Sequence, residues 1–188
     1  NQMAKKKQEI LSEIGEEEVL NRIKKYMPKG QIDDDTAEIY SENQRFLINN
    51  DLLVENIHFN KITTTPKNIG WKAVTSNFSD LAASGVNEII GITVGLVIPS
   101  NTPWRWVEEI YKGMDEALSK YGGQLLGGDC SRGSQKVISI TAIGTLGKLR
   151  LHQTNALPGD WIIVSGPHGL SRLGLALLLS EPIADEAA

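Results

Sequence analysis

The chain has very little cysteine: Cys130 is the single one among 188 residues. That excludes an internal disulfide framework and any zinc cage built on cysteines, and it fits a reducing compartment. Basic excess is also missing, because 19 Lys and Arg face 23 Asp and Glu for a formal net charge of -4. Neither a nucleic-acid groove nor a polybasic membrane patch is expected from that balance. No apolar run approaches the roughly 20 residues that a membrane helix needs. The opening "NQMAKKKQEI" has lysines with no apolar segment behind them, so no secretory signal is visible. These absences predict a cytoplasmic protein with small-molecule partners, no nucleic acid and no membrane. Familiar phosphate motifs are lacking too: there is no G-x-x-x-x-G-K-[ST], no protein-kinase catalytic loop and no G-x-G-x-x-G after a strand.

What is present is an ordinary globular composition, 40% hydrophobic and 22% charged, enough for one core and part of a second. "EEEVLNRIKKYM" (Glu16 to Met27) carries acids in its first turn and lysines in its last, which predicts a helix ended by Pro28 and Gly30. "TAEIYS" and "RFLINNDLLV" read as strands joined by a polar turn, and "TTTPKNIGWKAVTSNFSDLAASG" as a long buried helix closing on Gly85. "EIIGITVGLVIP" suits a central strand, and "TPWRWVEEIYKGMDEALSKYGG" an amphipathic helix with Thr102 as N-cap and Pro103 at its first position. "QLLGGD" and "KVISITAIGTLGKL" read as two further strands. The order predicts an α/β or α+β fold. Past Leu157 come a turn, the strand "WIIVSG" and an apolar helix from Ser171 to Leu179, which cannot bury their apolar faces alone. We therefore expect a flexible N-terminus over 1–15, a first domain over 16–150 and the start of a truncated second domain over 157–188.

The acidic residues are the candidate chemistry. "GQIDDDTAEI" puts Asp33, Asp34 and Asp35 side by side between a helix and a strand. A solvated turn would tolerate them, yet adjacent carboxylates also suit a hard divalent cation. Asp51 follows "LINN", Asp129 ends "LLGGD", and Asp80 sits inside an otherwise apolar helix, where an unpaired carboxylate costs several kcal/mol. Each alone is best explained as a turn, a cap or a satisfied polar group. Together, with no His or Cys cluster, they suit Mg²⁺ bridging nucleotide phosphates rather than zinc. Gly127 and Gly128 would let backbone or phosphate approach beside Asp129. Cys130, a lone cysteine beside a loop, is expected to be incidental rather than a nucleophile.

In order and spacing, "IDDDTA", "NNDLLVENIHF", "GWKAVTSNFSDLAASG", "LLGGDCSRG" and "SGPHGLSRLGLALL" resemble the motifs of the thiamine-monophosphate kinase family. That family shares a superfamily with aminoimidazole ribonucleotide synthetase and selenophosphate synthetase. The resemblance implies a mixed sheet flanked by helices that pairs with the sheet of a second subunit into a barrel, a homodimer, and a second α/β domain. It also implies Mg²⁺ and ATP in a cleft formed with the dimer partner. By it, Asp34, Asp35, Asp51, Asp80 and Asp129 match metal-binding aspartates, and Asn49 and Asn50 stand where Ser or Thr usually supply ligand oxygens. His58 matches a substrate-contacting histidine, and Gly128 with Asp129 a nucleotide-contacting pair. Asp33 replaces a usual glycine, Gln153 an ATP-contacting arginine and Leu170 a common aspartate.

The implied reaction moves the γ-phosphoryl of ATP to thiamine monophosphate, giving thiamine diphosphate. The acceptor phosphate is already ionised, so positioning and charge neutralisation replace a strong base. Two other readings remain open at this point. One is an ATP-dependent synthetase of the same superfamily; the other is a non-catalytic sensor of nucleotide or thiamine phosphate, which Asn49, Asn50 and Gln153 would favour.

Overall fold

In the computed structural model, which describes residues 10–31 and 33–180, the sheet opens with two antiparallel strands that follow a first helix and a 3-10 turn. β1 (Ala37–Ser41) and β2 (Gln44–Val54) pair in register from Ser41 opposite Gln44 to Ala37 opposite Ile48. Glu42, at φ 49, takes the left-handed position of their two-residue turn. A long helix (Pro66–Ala83) follows; its N-cap Thr65 accepts a hydrogen bond from the Asn68 amide at 3.3 Å, and Pro66 fills a first-turn position that needs no donor. Strand β3 (Val86–Ile98), a helix (Trp104–Tyr121) and β4 (Gln124–Arg132) then make a crossover unit with β3 and β4 parallel. Finally β5 (Val137–Leu146) returns between β2 and β3, antiparallel to both, for the order β1-β2-β5-β3-β4.

The period of two is clean along β5. Ile138, Ile140 and Ala142 are fully buried, while Ser139, Thr141 and Ile143 on the opposite face are only half-buried. The buried row packs with Leu47, Val94 and Leu96 of the sheet against Ile69, Val74, Phe78, Ile110 and Met114 of the two helices. Each such aliphatic or aromatic side chain contributes about 1.5–3 kcal/mol on full burial. The other sheet face has no helix of this chain over it among the described residues.

With the four α-helices of the described residues labelled α1 (Leu11–Ile23), α2 (Pro66–Ala83), α3 (Trp104–Tyr121) and α4 (Leu170–Leu178), the depth of α2 is set by glycine. A Cβ on Gly70 would lie 1.9 Å from the Ile110 carbonyl oxygen, and one on Gly113 would lie 1.9 Å from that of Lys67. The backbones of α2 and α3 therefore touch at both points, closer than any pair of side chains would permit.

Several expectations shift. The first helix begins at Leu11, breaks at Gly15 (φ 76) and ends at Ile23, where a 3-10 turn (Lys24–Tyr26) takes over, so it does not run from Glu16 to Met27. Residues 1–9 of the expected flexible N-terminus lie outside the described residues, and Leu11 to Ile14 are helical. Pro103, not Thr102, is the N-cap of α3; the Thr102 hydroxyl is buried and makes no hydrogen bond. Trp161 to Val164 are exposed and join no ladder among the described residues, so "WIIVSG" is not a strand here; a strand needs a neighbour for its amides and carbonyls. Helix α4 starts at Leu170, and residues 181–188 lie outside the described residues.

The glycine contact gives a direct test. Gly70→Ala should destabilise the chain in urea by about 1–3 kcal/mol through overpacking, whereas Gly174→Ala in α4, which meets nothing within 4 Å, should be neutral or gain up to about 1 kcal/mol of helix propensity. Equal melts for the two variants would show that α2 can ride up without cost.

Candidate functional site

Strand alternation turns Leu47, Asn49, Asp51 and Leu53 of β2 toward the helices. Two apolar positions on that row bracket two polar ones, and the polar pair meets the second half of α2. The Asn49 amide, only 6% exposed, donates from Nδ2 to the Asn77 carbonyl at 3.2 Å and to Asp80 Oδ2 at 3.1 Å. Asn77 is fully buried and donates from Nδ2 to the Ala73 carbonyl at 2.9 Å. With both amides oriented this way, Asn49 Oδ1 and Asn77 Oδ1 are buried acceptors with no hydrogen-bond partner.

Burial holds the Asp80 carboxyl above its ordinary range, the Asn49 hydrogen bond opposes that shift, and the charges of Asp51, Asp35 and Asp34 add to it. These four carboxylates therefore share one electrostatic neighbourhood. They do not form a tight cage: among the described residues no three His, Cys, Asp or Glu side chains stand close enough to hold one ion by themselves. Mg²⁺ does not need such a cage, since it commonly keeps several waters and takes one or two carboxylates plus substrate phosphates. The orphaned Asn49 oxygen and the half-buried Asp80 carboxylate are hard oxygen donors of the kind it prefers, so the residues fit it.

The three consecutive aspartates have separate roles. Asp33 pairs with Lys24 at 3.1 Å on the surface. Asp34, with its side chain only 9% exposed, accepts from Arg150 Nη2 at 2.7 Å, and His152 Nε2 stands 3.8 Å away. The same guanidinium donates to the Thr36 hydroxyl at 2.9 Å and to the Ser84 carbonyl at 3.3 Å, while the Thr36 hydroxyl donates to that of Ser84 at 2.8 Å. Asp34 is thus bound up in joining the segment after β5 to the start of β1. Asp35 keeps an exposed carboxylate toward the Asp80 neighbourhood. Gln153 donates to the Asp33 carbonyl at 3.0 Å, so its amide also ties this segment to the acidic corner.

Other expected residues lie elsewhere. Asn50 faces away from the helices, donating to Ser139 Oγ, the Ile140 carbonyl and Thr141 Oγ1 at 2.9–3.0 Å. Asp129 is opposite Gly95, Gly95 opposite Ser139, and Ser139 opposite exposed Leu52, which places Asp129 on that same outer face. Its neighbour Cys130 alternates to the helix side, where its charge helps raise the Tyr111 hydroxyl behind the larger effect of burial. Asp129 is therefore on the far side of the sheet from Asp51 and three strand spacings away, about 14 Å. Within one chain, Asp129 does not join Asp35, Asp51 and Asp80. Gly128 has a packing reason of its own, because a Cβ there would lie 1.9 Å from the Val94 carbonyl oxygen. His58 accepts the Val54 amide on Nδ1 at 3.0 Å and lines a cleft with Lys72 and Arg172. Sequence reading passed over Arg150, Thr36 and Lys72. A lone arginine in the polar stretch after β5 carries no periodic signal, and its role follows only from the fold.

Asp80 supplies a pH test. Its native value is raised, so the folded chain binds that proton more tightly than the unfolded chain, and stability falls as pH rises through the raised value. The penalty is complete above the native value and absent below the ordinary 3.8. In EDTA at pH 7, Asp80→Asn should melt above the parent chain, with the advantage vanishing as pH drops below 3.8, and added Mg²⁺ should stabilise the parent more than the variant. A variant that melts lower at pH 7 would make Asp80 a structural residue.

Residues 33–146 match the model of the AIR synthase related protein N-terminal domain. The chain is similar to the thiamine-monophosphate kinase of Prochlorococcus marinus, 64% identical over 176 residues, covering 94% of this chain and 53% of that protein. It is also similar to the thiamine-monophosphate kinase of Synechococcus elongatus, 41% identical over 184 residues, covering 94% and 56%. Among solved structures, AaThiL complexed with AMPPCP and TMP superimposes with a TM-score of 0.86 at 32% identity, over 97% of this chain and 58% of that one. The chain spans about half the length of the curated relatives it matches. With 33–146 covering the whole sheet and both helices packed on it, the chain belongs to the AIR synthase related family and carries its N-terminal domain.

Proposed function

We propose that the full-length protein transfers the γ-phosphoryl of ATP to the phosphate of thiamine monophosphate, and that residues 16–150 are its dimerising, Mg²⁺- and ATP-binding domain, with a second domain beginning near 157. One observation carries the reading: the half-buried Asp80, electrostatically coupled to Asp51 and Asp35, lies in a fold that superimposes on AaThiL complexed with AMPPCP and TMP. The reaction brings two anions together, and Mg²⁺ supplies the neutralising charge when bound. Asp35, Asp51, Asp80 and the Asn49 oxygen would hold it. The chain's own part is to fix those oxygens through the Asn49 amide and to hold the 150–153 segment over the acidic corner through Arg150 and Gln153. A cytoplasmic location completes the proposal; among the described residues no helix is long and apolar enough to cross a membrane.

The opposite placement of Asp129 enters this reading through a homodimer. The outer face of the sheet has no covering helix among the described residues, and β4 is exposed along its whole length with one edge unpaired. An unpaired edge beside a half-buried face is a surface that a second sheet can cover. In a symmetric pair, Asp129 and Gly128 of one subunit would serve the nucleotide held by Asp51 and Asp80 of the other.

Two measurements test this. With ATP, Mg²⁺ and thiamine monophosphate, the full-length protein should form thiamine diphosphate, and Asp51→Asn should lower turnover by about two to three orders of magnitude; binding without conversion would leave only a sensor. Mixing Asp51→Asn subunits with Asp129→Asn subunits, each nearly inactive alone, should restore activity, because one of the two sites in the mixed dimer is then intact. No recovery in a proven mixed dimer would return Asp129 to its own subunit's site or remove it from catalysis.

A further inference from the structure

The guanidinium of Arg150 stands between the two segments that carry Asp35 and Asp80. On one side, Nη2 donates to Asp34 Oδ2 at 2.7 Å and to the Thr36 hydroxyl at 2.9 Å. Asp34 Oδ1 accepts the backbone amide of Asp35 at 3.1 Å, so the carboxylate held by the arginine in turn holds the peptide from which the Asp35 side chain projects. On the other side, Nη1 donates to the Ser84 carbonyl at 3.3 Å. Ser84 is the C-cap of α2, and its amide closes on the Asp80 carbonyl at 3.0 Å, so this contact anchors the helical turn that begins at Asp80. The hydroxyls of Thr36 and Ser84, both buried, complete the joint with their own bond at 2.8 Å. The side chains of Arg150 and Asp34 are only 15% and 9% exposed, which sets the pair apart from exposed ion pairs of little worth.

We propose that Arg150 is a positioning residue for the metal: it takes Asp34 out of the ligand set and, through Asp34 and Ser84, fixes the separation of the Asp35 and Asp80 carboxylates that would share Mg²⁺. A planar fork is what this task requires. One guanidinium nitrogen serves the Asp34 segment and the other the end of α2, whereas an ammonium is a single centre. Both Asp34 oxygens are occupied by protein donors, Arg150 and the Asp35 amide, which leaves the exposed Asp35 carboxylate as the one available to a cation. The strap that carries Arg150 has its own attachment. Leu151 N–H donates to the Ser84 carbonyl at 3.1 Å and Gly147 N–H to the Gly85 carbonyl at 3.0 Å. Those backbone bonds keep residues 147–151 in place when the side chain is changed, so a substitution at 150 tests position rather than folding. The proposal rests on the reading of Asp35 and Asp80 as holders of Mg²⁺.

Mg²⁺ titrated by calorimetry into the full-length protein, with a non-hydrolysable ATP analogue present, tests it without turnover. Arg150→Lys keeps the charge beside Asp34 and gives up the two-sided fork. It should weaken Mg²⁺ by about tenfold or more, the usual cost of losing a group that orients a metal ligand, while urea melts in EDTA show the variant folded. Asp34→Asn should also weaken Mg²⁺, because an amide has one oxygen and cannot accept from both Arg150 and the Asp35 N–H. In an Asp35→Asn background the same change should add little, since its effect passes through Asp35. Lys24→Gln, which breaks the exposed pair with Asp33, should leave the affinity within about twofold. Unchanged affinity in Arg150→Lys would reduce the arginine to a charge, and tighter binding would make Asp34 a ligand that the arginine withholds. Additive losses for Asp34 and Asp35 would make Asp34 a ligand in its own right, and that outcome is readable even if Arg150→Lys does not fold. Each of the three overturns the proposal. A parent that binds no Mg²⁺, or an Asp80→Asn variant that binds it as the parent does, sinks the metal reading and this proposal with it; parent-like binding in Arg150→Lys beside weakened binding in Asp80→Asn sinks the proposal alone.

Discussion

A carboxylate placed where a helix meets a sheet sets the terms for the surrounding structure. Asp80 loses hydration on the inner side of α2, and Asp51, Asp35 and Asp34 add repulsion to the cost of that burial. Only the Asn49 amide opposes the shift directly. The fold limits the remaining repulsion by pairing Asp34 with Arg150, a guanidinium that reaches the corner because the chain leaving β5 turns back across the start of β1. Beside that ion pair, Gln153 donates to the Asp33 carbonyl. Electrostatic necessity in one place thus determines where the chain goes next.

The geometry that makes this possible is backbone contact. Without side chains at Gly70 and Gly113, α2 sits against α3 at a depth that aims Asn77 and Asp80 at Asn49. A helix lifted by even one methyl group would lengthen the 3.1 and 3.2 Å bonds that orient the Asn49 amide. Interiors packed at crystal-like density leave little room for such a shift to be absorbed elsewhere. Stability of the α2 and α3 pair and the arrangement of the acidic residues are therefore one property.

Elements with a strong period were legible from residues alone. The β5 run "VISITAIGTL" alternates as a half-buried strand should, and α3 carries its buried Val107, Ile110, Met114 and Ala117 at helical spacing. The acidic residues of the site were also legible as residue types in suggestive places. What could not be read was which of them meet. Asn49 and Asn50 are adjacent and chemically identical, yet one faces α2 and the other faces Ser139 and Thr141. Asp51 and Asp129 both end short polar motifs, yet the order β2-β5-β3-β4 puts them on opposite faces. Strand order and register are long-range facts, and local alternation is silent about them. The unpaired run Trp161 to Val164 shows the same limit, since a strand-like pattern makes a strand only beside a neighbour.

Helix α2 carries side chains of both signs. Lys72 and Asp80 are eight residues apart, a rise of about 12 Å along the axis. Placing both on one rigid helix fixes their separation in a way that loops could not, because helix rise varies far less than loop geometry. The Lys72 ammonium is turned to the His58 carbonyl rather than to Asp80. Lysine and carboxylate on one helix thus stay apart, and the repulsion around Asp80 is left to Asn49 and to the Arg150 guanidinium beside Asp34.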